Sequence, residues 1–213
     1  CALPILPTVN FDWWNYGGIT RDVMLVDVPT VYVDDYSLRL AKGVYDKLEG
    51  SVTLNEAKAG ESVTFSLPEL KLTTTVTTDA DGKASFTIPV KKLKLWSPES
   101  PTLYDLTVTH NGETLNDRLG FRQIETAGKE IRLNGQKVFL KGISIHEEAP
   151  FRQGRAYTRE EASVLLGWAK EMGCNFVRLA HYPHNEHMVR VAEEMGLMVW
   201  SEIPVYWTIA WTN

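Results

Sequence analysis

Asn175-Phe176-Val177-Arg178-Leu179-Ala180-His181-Tyr182-Pro183, then Met188, Val191, Ala192 and Met195 at helical spacing, then Gly196-Leu197-Met198-Val199-Trp200, is the stretch that decides the fold. An apolar run of strand length is followed by a one-sided helical pattern and a second apolar run. Gly196 is a helix stop that lets the chain turn back. Upstream, Thr158 and Glu161 stand three apart, the spacing of a capping box. Ala162, Leu165, Leu166, Ala169 and Met172 follow on one helical face, and Gly173 closes that helix. The segment from Phe139 to Ile145 reads as a first buried strand, preceded by a hairpin over 131–139 with Asn134-Gly135 at its turn. The order strand-helix-strand-helix-strand predicts parallel strands with right-handed crossovers.

The chain before this region has a different rhythm. From about Val28 to Glu125, short Thr- and Val-rich runs alternate with turn signals. Ser51–Leu54, Ser62–Leu67, Thr73–Thr77, Ala84–Val90 and Tyr104–Thr109 read as strands, with Asp81-Gly82 and Asn111-Gly112 as hairpin signals. About seven strands with few helix signals is the profile of an immunoglobulin-like sandwich. The Cys…Trp…Cys spacing of antibody domains is absent. Trp96-Ser97-Pro98 reads as a rigid bend, with Trp96 a core anchor.

The first 27 residues are too few for a domain. Phe11-Asp12-Trp13-Trp14-Asn15-Tyr16-Gly17-Gly18 crowds aromatics beside a Gly-Gly pair, which suggests a tight loop at a functional surface. Val23-Met24-Leu25-Val26 reads as one closing strand. The chain opens without Met at Cys1, and Cys1 to Ile5 are readable as the translated tail of a sequencing adapter, which the encoding DNA tests. Both ends read as interruptions of a longer chain.

Composition bounds the function. With 213 residues the chain holds one to two ordinary domains. Its 44% hydrophobic and 23% charged residues exclude wholesale disorder. A net charge of −5 argues against a nucleic-acid binder. No apolar run approaches the ~20 residues of a membrane span. Two cysteines, Cys1 and Cys174, cannot make a disulfide framework.

Polar residues gather where a parallel sheet puts its ligands, at the carboxyl ends of the strands. His146 and Glu147 follow the first strand, Arg178 lies late in the second with His181 and Tyr182 after it, and Glu202 follows the third. The loop from His146 to Tyr157 is long for its place, which fits a site-lining role. Arg178 reads equally as a structural partner of a carboxylate, and Glu202 as an orienting group. His181, His184 and His187 invite a zinc reading, but no H-E-x-x-H pattern supports it.

Arg178-Leu179-Ala180-His181-Tyr182-Pro183 with Met195–Trp200 closely resembles the signature of glycoside hydrolase family 2. Asp12–Arg21 and Gly142–Glu147 resemble two further landmarks of that family in the expected order. The resemblance implies a jelly-roll domain, an immunoglobulin-like domain and a TIM barrel. Residues 1–27 would be the tail of the first, 28–125 the whole of the second, and 126–213 the first three strands and two helices of the third. It implies a retaining exo-β-glycosidase acting on terminal β-galactosides or β-glucuronides, with no cofactor and a β-glycoside as partner. It leaves homo-oligomerisation of the whole protein open.

By the same resemblance, Asp12, His146, Arg178, His181 and Glu202 are the substrate-site residues. Asp12 would touch the sugar, His146 and His181 would hydrogen-bond its hydroxyls, and Arg178 would steady the catalytic carboxylates. In that family the acid/base Glu follows an Asn at the end of the fourth barrel strand and the nucleophile Glu lies near the seventh. The resemblance therefore implies that both lie beyond the C-terminus of this sequence, which reaches just past the third strand. Asn55-Glu56 falls in the sandwich and Asn185-Glu186 opens a helix, so no catalytic residue is assigned and the chain alone is expected to be inactive. Tyr206 stands where some members carry a magnesium-binding Glu, so no metal is assigned. The main alternative is a carbohydrate-binding or adhesive sandwich module; a metal hydrolase using His181 to His187 is the second.

Overall fold

The computed structural model describes residue 16, residues 18–56 and residues 58–204. The chain divides into two compact units, one of residues 25–138 and one of residues 1–24 with 139–213.

The described residues of the first unit form a two-sheet sandwich. Its strands are β1 (Val33–Leu40), β2 (Lys47–Leu54), β3 (Ser62–Leu67), β4 (Leu72–Thr77), β5 (Lys83–Pro89), β6 (Tyr104–His110) and β7 (Glu113–Leu119). One sheet has the order β1-β2-β5 and the other β4-β3-β6-β7, with every pairing antiparallel. Period-two alternation drives this. Leu48, Val52 and Leu54 of β2 and Val63, Phe65 and Leu67 of β3 are buried in one core between the sheets. Gly50 takes a core-facing place in β2 because the Phe86 ring lies where its Cβ would be. Trp96 is wholly buried, with the Arg122 guanidinium 4.3 Å above its ring.

Asn111 and Gly112 both have positive φ, 46° and 87°, and make the two-residue turn from β6 to β7. Asp81-Gly82 does not make the expected hairpin: β4 and β5 lie in different sheets. The Asp79 carboxylate accepts from the N–H groups of Asp81 and Lys83, at 3.0 and 2.9 Å, and turns the chain over the sandwich edge. A small antiparallel sheet follows, of β8 (Ile124–Ala127), β9 (Glu130–Leu133) and β10 (Gln136–Lys137), with Asn134 and Gly135 at the β9–β10 turn as expected.

The second unit carries β11 (Gly142–Ile145), α1 (Arg159–Glu171), β12 (Phe176–Leu179), α2 (Glu186–Met195) and β13 (Met198–Ser201). The strands are parallel in the order β11-β12-β13. The capping box at α1 is present: the Glu161 N–H donates to Thr158 Oγ1, and the Thr158 N–H donates to Glu161 Oε2. Asn185 caps α2 through the His187 N–H, and Gly196 ends it with φ 73°. Ala162, Leu166 and Ala169 of α1 and Met188, Val191 and Ala192 of α2 bury against Val177 and Leu179. Each large side chain so buried contributes about 1.5–3 kcal/mol.

Three local expectations change. The first strand starts at Gly142 and not Phe139, because the Asn175 side chain takes up the Lys141 N–H and the Phe139 carbonyl, at 2.8 and 3.0 Å. Met172 is exposed, since it is the C-cap of α1 and has left the buried face. Val23 to Val26 form no strand: no described strand lies beside them, and all four are exposed. Among the described residues no helix is long and apolar enough to cross a membrane.

Candidate functional site

The parallel register brings Ile145, Leu179 and Ser201 side by side at the ends of β11, β12 and β13. The residues just beyond them therefore share one edge. Alternation along β12 sends Val177 and Leu179 toward the helices and Arg178 to the opposite face. Arg178 Nε donates to Glu202 Oε1 at 2.7 Å. His181 Nδ1 lies 3.0 Å from Glu202 Oε2 and 3.0 Å from Arg178 Nη2. Protonated, Nδ1 donates to the carboxylate; unprotonated, it accepts from the guanidinium. The pairing holds the Glu202 carboxyl below the usual glutamate range, through Arg178 first and His181 second.

His146 stands edge-on to His181, with ring centroids 5.3 Å apart. Its ring is 6.1 Å from Tyr182, which stacks on His184 at 5.1 Å. The Arg155 guanidinium covers the Tyr182 ring at 4.2 Å. Four of the five residues expected at the site, His146, Arg178, His181 and Glu202, are thus gathered at one end of the sheet. Asp12 lies outside the described residues, as does Tyr206.

Glu147 is the residue that sequence reasoning undervalued. It is 3% exposed, and its carboxylate accepts the Asn185 N–H at the start of α2. Arg21 Nη2 lies 3.6 Å from the same oxygen and donates to the Pro183 carbonyl at 2.6 Å. The Glu147 N–H donates to the Tyr182 hydroxyl at 3.2 Å. Burial pushes the Glu147 carboxyl up, against the pull of Asn185 and Arg21. Tyr16 donates to Glu148 Oε2 at 2.6 Å. The unusual length of the 146–157 loop was the signal that these groups left in the sequence.

His184 is buried, with Nε2 2.8 Å from the Ala180 carbonyl. Burial lowers its pKa to about 4, so it is neutral at pH 7 and donates that proton. Among the described residues no group of three or more His, Cys, Asp or Glu is placed to hold a metal ion.

A β-sandwich followed by parallel β/α units with a polar cluster at the strand ends defines an α/β ligand-binding architecture with an all-β neighbour. Comparison with known proteins makes this specific. The description "Glycosyl hydrolases family 2" matches residues 31–122, and "Glycosyl hydrolases family 2, TIM barrel domain" matches residues 124–212. The chain belongs to glycoside hydrolase family 2. It is 31% identical to a putative β-glucuronidase of Formosa agariphila over 94% of this chain and 26% of that protein. It is 31% identical to a β-galactosidase of Streptococcus thermophilus over 90% of this chain and 20% of that protein. The chain spans between 18% and 30% of the length of these and similar curated relatives. A Parabacteroides merdae β-glucuronidase structure superposes with a TM-score of 0.71 at 28% identity, covering 88% of this chain and 25% of that one. An Eisenbergiella tayi β-galacturonidase bound to galacturonate gives 0.68 at 28%, covering 83% and 33%.

Proposed function

We propose that this chain supplies one side of the sugar site of a retaining exo-β-glycosidase that hydrolyses terminal β-galactosides or β-glucuronides by double displacement. The observation that carries this is the Arg178–His181–Glu202 triangle with His146 edge-on beside it. His146 and His181 hydrogen-bond sugar hydroxyls, in contacts that tighten toward an oxocarbenium-like transition state. Arg178 and Glu202 fix the imidazole and present a steady field to the reacting carboxylates. Asp12 adds a contact to the same sugar. On this reading residues 1–27 belong to a jelly-roll domain, 28–125 are an immunoglobulin-like sandwich, and 126–213 begin a TIM barrel.

A retaining mechanism needs two carboxylates about 5–5.5 Å apart, one nucleophile and one acid/base. Glu147 is buried under α2, Glu148 is held by Tyr16, and Glu202 is locked to Arg178. None of them is assigned either role, and the 213-residue chain alone is inactive on this reading. Incubation with nitrophenyl β-galactoside and β-glucuronide tests it: no release is expected, and steady turnover that survives purification overturns the assignment. Failure of these sugars to perturb the imidazole signals of His146 and His181 removes the binding role.

A further inference from the structure

Beside the sugar site lies a cavity of about 410 Å³, lined by Tyr16, Arg21, Asp22, Arg152, Arg155 and Tyr157 among others. That is within the ~300–1,000 Å³ of small-molecule sites. Three guanidinium groups face one carboxylate in this lining. Two of them are already matched by carboxylates: Arg152 pairs with Glu161 at 2.7 Å, and Arg21 lies 3.6 Å from Glu147. Arg155 is the exception. Among the described residues it has no ion-pair partner within 4 Å, and its buried Nη1 has no hydrogen-bond partner. The group hydrogen-bonds Tyr182, and its charge reaches Glu147 only at longer range. Its planar group is pinned over the Tyr182 ring at 4.2 Å, with the Tyr16 ring at 5.9 Å. Stacking fixes the plane of the guanidinium and favours approach of an acceptor along its edge. A stacked guanidinium with no ion pair within 4 Å among the described residues is a place where an anion gains a charge-assisted contact.

We propose that this cavity is a subsite for an acidic sugar unit, one carrying a carboxylate or a sulfate, next to the sugar that is cleaved. The proposal rests on the sugar-site reading above. The link between the two is short: Arg155 covers Tyr182, Tyr182 neighbours His146, and His146 neighbours His181. A unit linked to the cleaved sugar spans that distance. Its oxyanion accepts from Arg155, and its ring packs between Tyr16 and Tyr157, whose apolar faces and hydroxyls suit a saccharide. Asp22 on the same wall repels a second anionic group and limits the subsite to one.

The test is titration of the 213-residue chain with galacturonic acid, galactose 6-sulfate, galactose and inorganic sulfate, followed by NMR. The Arg155 Nε–Hε signal reports the cavity, and the imidazole signals of His146 and His181 report the sugar site. Saturable movement of the Arg155 signal with either acid, and none with galactose, is expected; the two acids separate carboxylate from sulfate recognition. Arg155→Gln is expected to weaken acid binding about tenfold, the loss of one charge-assisted fork. Arg155→Lys, which keeps the charge, is expected to fall between. An Arg155 signal unmoved by both acids in the unmodified chain overturns the subsite, whatever the variants do. Movement equal with galactose also overturns it. If acids move only the His146 and His181 signals, the subsite is wrong while the sugar site stands. If they move only Arg155, and galactose leaves the His146 and His181 signals unmoved, the acid-binding cavity stands and the sugar-site reading fails.

Discussion

Glu202 is held at both oxygens: Oε1 accepts from Arg178 Nε at 2.7 Å, and Oε2 lies 3.0 Å from His181 Nδ1. The carboxylate is therefore the pivot on which both the Arg178 guanidinium and the His181 imidazole are seated. Arg178→Ala is expected to raise the Glu202 pKa toward its ordinary value of 4.5, since Arg178 is the largest cause of its depression. Side-chain carboxyl chemical shifts across pH measure this. In the parent chain the folded pKa is below the unfolded one. The stability from Glu202 is thus present above about pH 4.5 and fades as pH falls through the folded pKa. An unchanged Glu202 titration in the variant contradicts the coupling.

Glu147 has the opposite sign. Burial raises its pKa, so the unfolded chain releases this proton first as pH rises. Glu147 therefore lowers stability as pH climbs from 4.5 toward its raised value, and its effect levels off beyond it. Glu147→Gln keeps an acceptor for the Asn185 N–H and is expected to flatten that slope. Glu147→Ala leaves the N–H at the start of α2 without its acceptor and is expected to cost about 1–3 kcal/mol. Urea unfolding at several pH values separates the two variants.

His184 is expected to stay neutral down to about pH 4. Its folded pKa is below the ordinary 6.5, so the unfolded chain protonates first on acidification. Stability from this residue is complete above pH 6.5 and is lost as pH falls toward 4. Imidazole nitrogen shifts follow it directly; protonation near pH 6.5 in the folded chain is the contrary result.

Gly50 and Phe86 make a steric pair within the sandwich core. Gly50→Ala is expected to destabilise by about 1–3 kcal/mol, because the added Cβ falls inside the ring. Phe86→Leu is expected to relieve part of that loss when combined with Gly50→Ala. A double-mutant cycle by chemical denaturation measures the coupling, and strict additivity counts against the contact.

Thr158→Ala removes one half of the α1 capping box and is expected to cost about 1 kcal/mol. Thr158→Ser, which keeps the acceptor, is expected to cost less. Thermal unfolding of the two variants makes the comparison.

The elements that could be read from the sequence are those set by neighbours in the chain. Thr158 with Glu161, Gly173, Gly196 and the buried alternation of β2 and β3 act over a few residues, and the structure carries them as expected. Asp81-Gly82 shows where that reach stops. A turn signal dictates a reversal, but the sheet that receives the next strand is chosen by Ala84, Phe86 and Ile88 packing on a distant core. The same holds at the site. His146, Arg178, His181 and Glu202 were legible because parallel strands align their own ends. Glu147 was not, because its role depends on Arg21 and Asn185, which no local pattern connects to it.

The Arg21–Glu147 bridge also has a meaning for how the chain is made. The two residues are 126 positions apart, 147 minus 21, and the whole of residues 25–138 lies between them. As the polypeptide leaves the ribosome at about 5–20 residues per second, Arg21 emerges many seconds before its partner. The intervening sandwich is continuous in sequence and depends on no later residue for its strands. Once folded, it leaves far less flexible chain between Arg21 and Glu147. The entropy of closing the remaining chain is then smaller when Glu147 appears. Early folding of the inserted unit is thus expected to lower the entropic cost of the contact that ties the early segment to the later one.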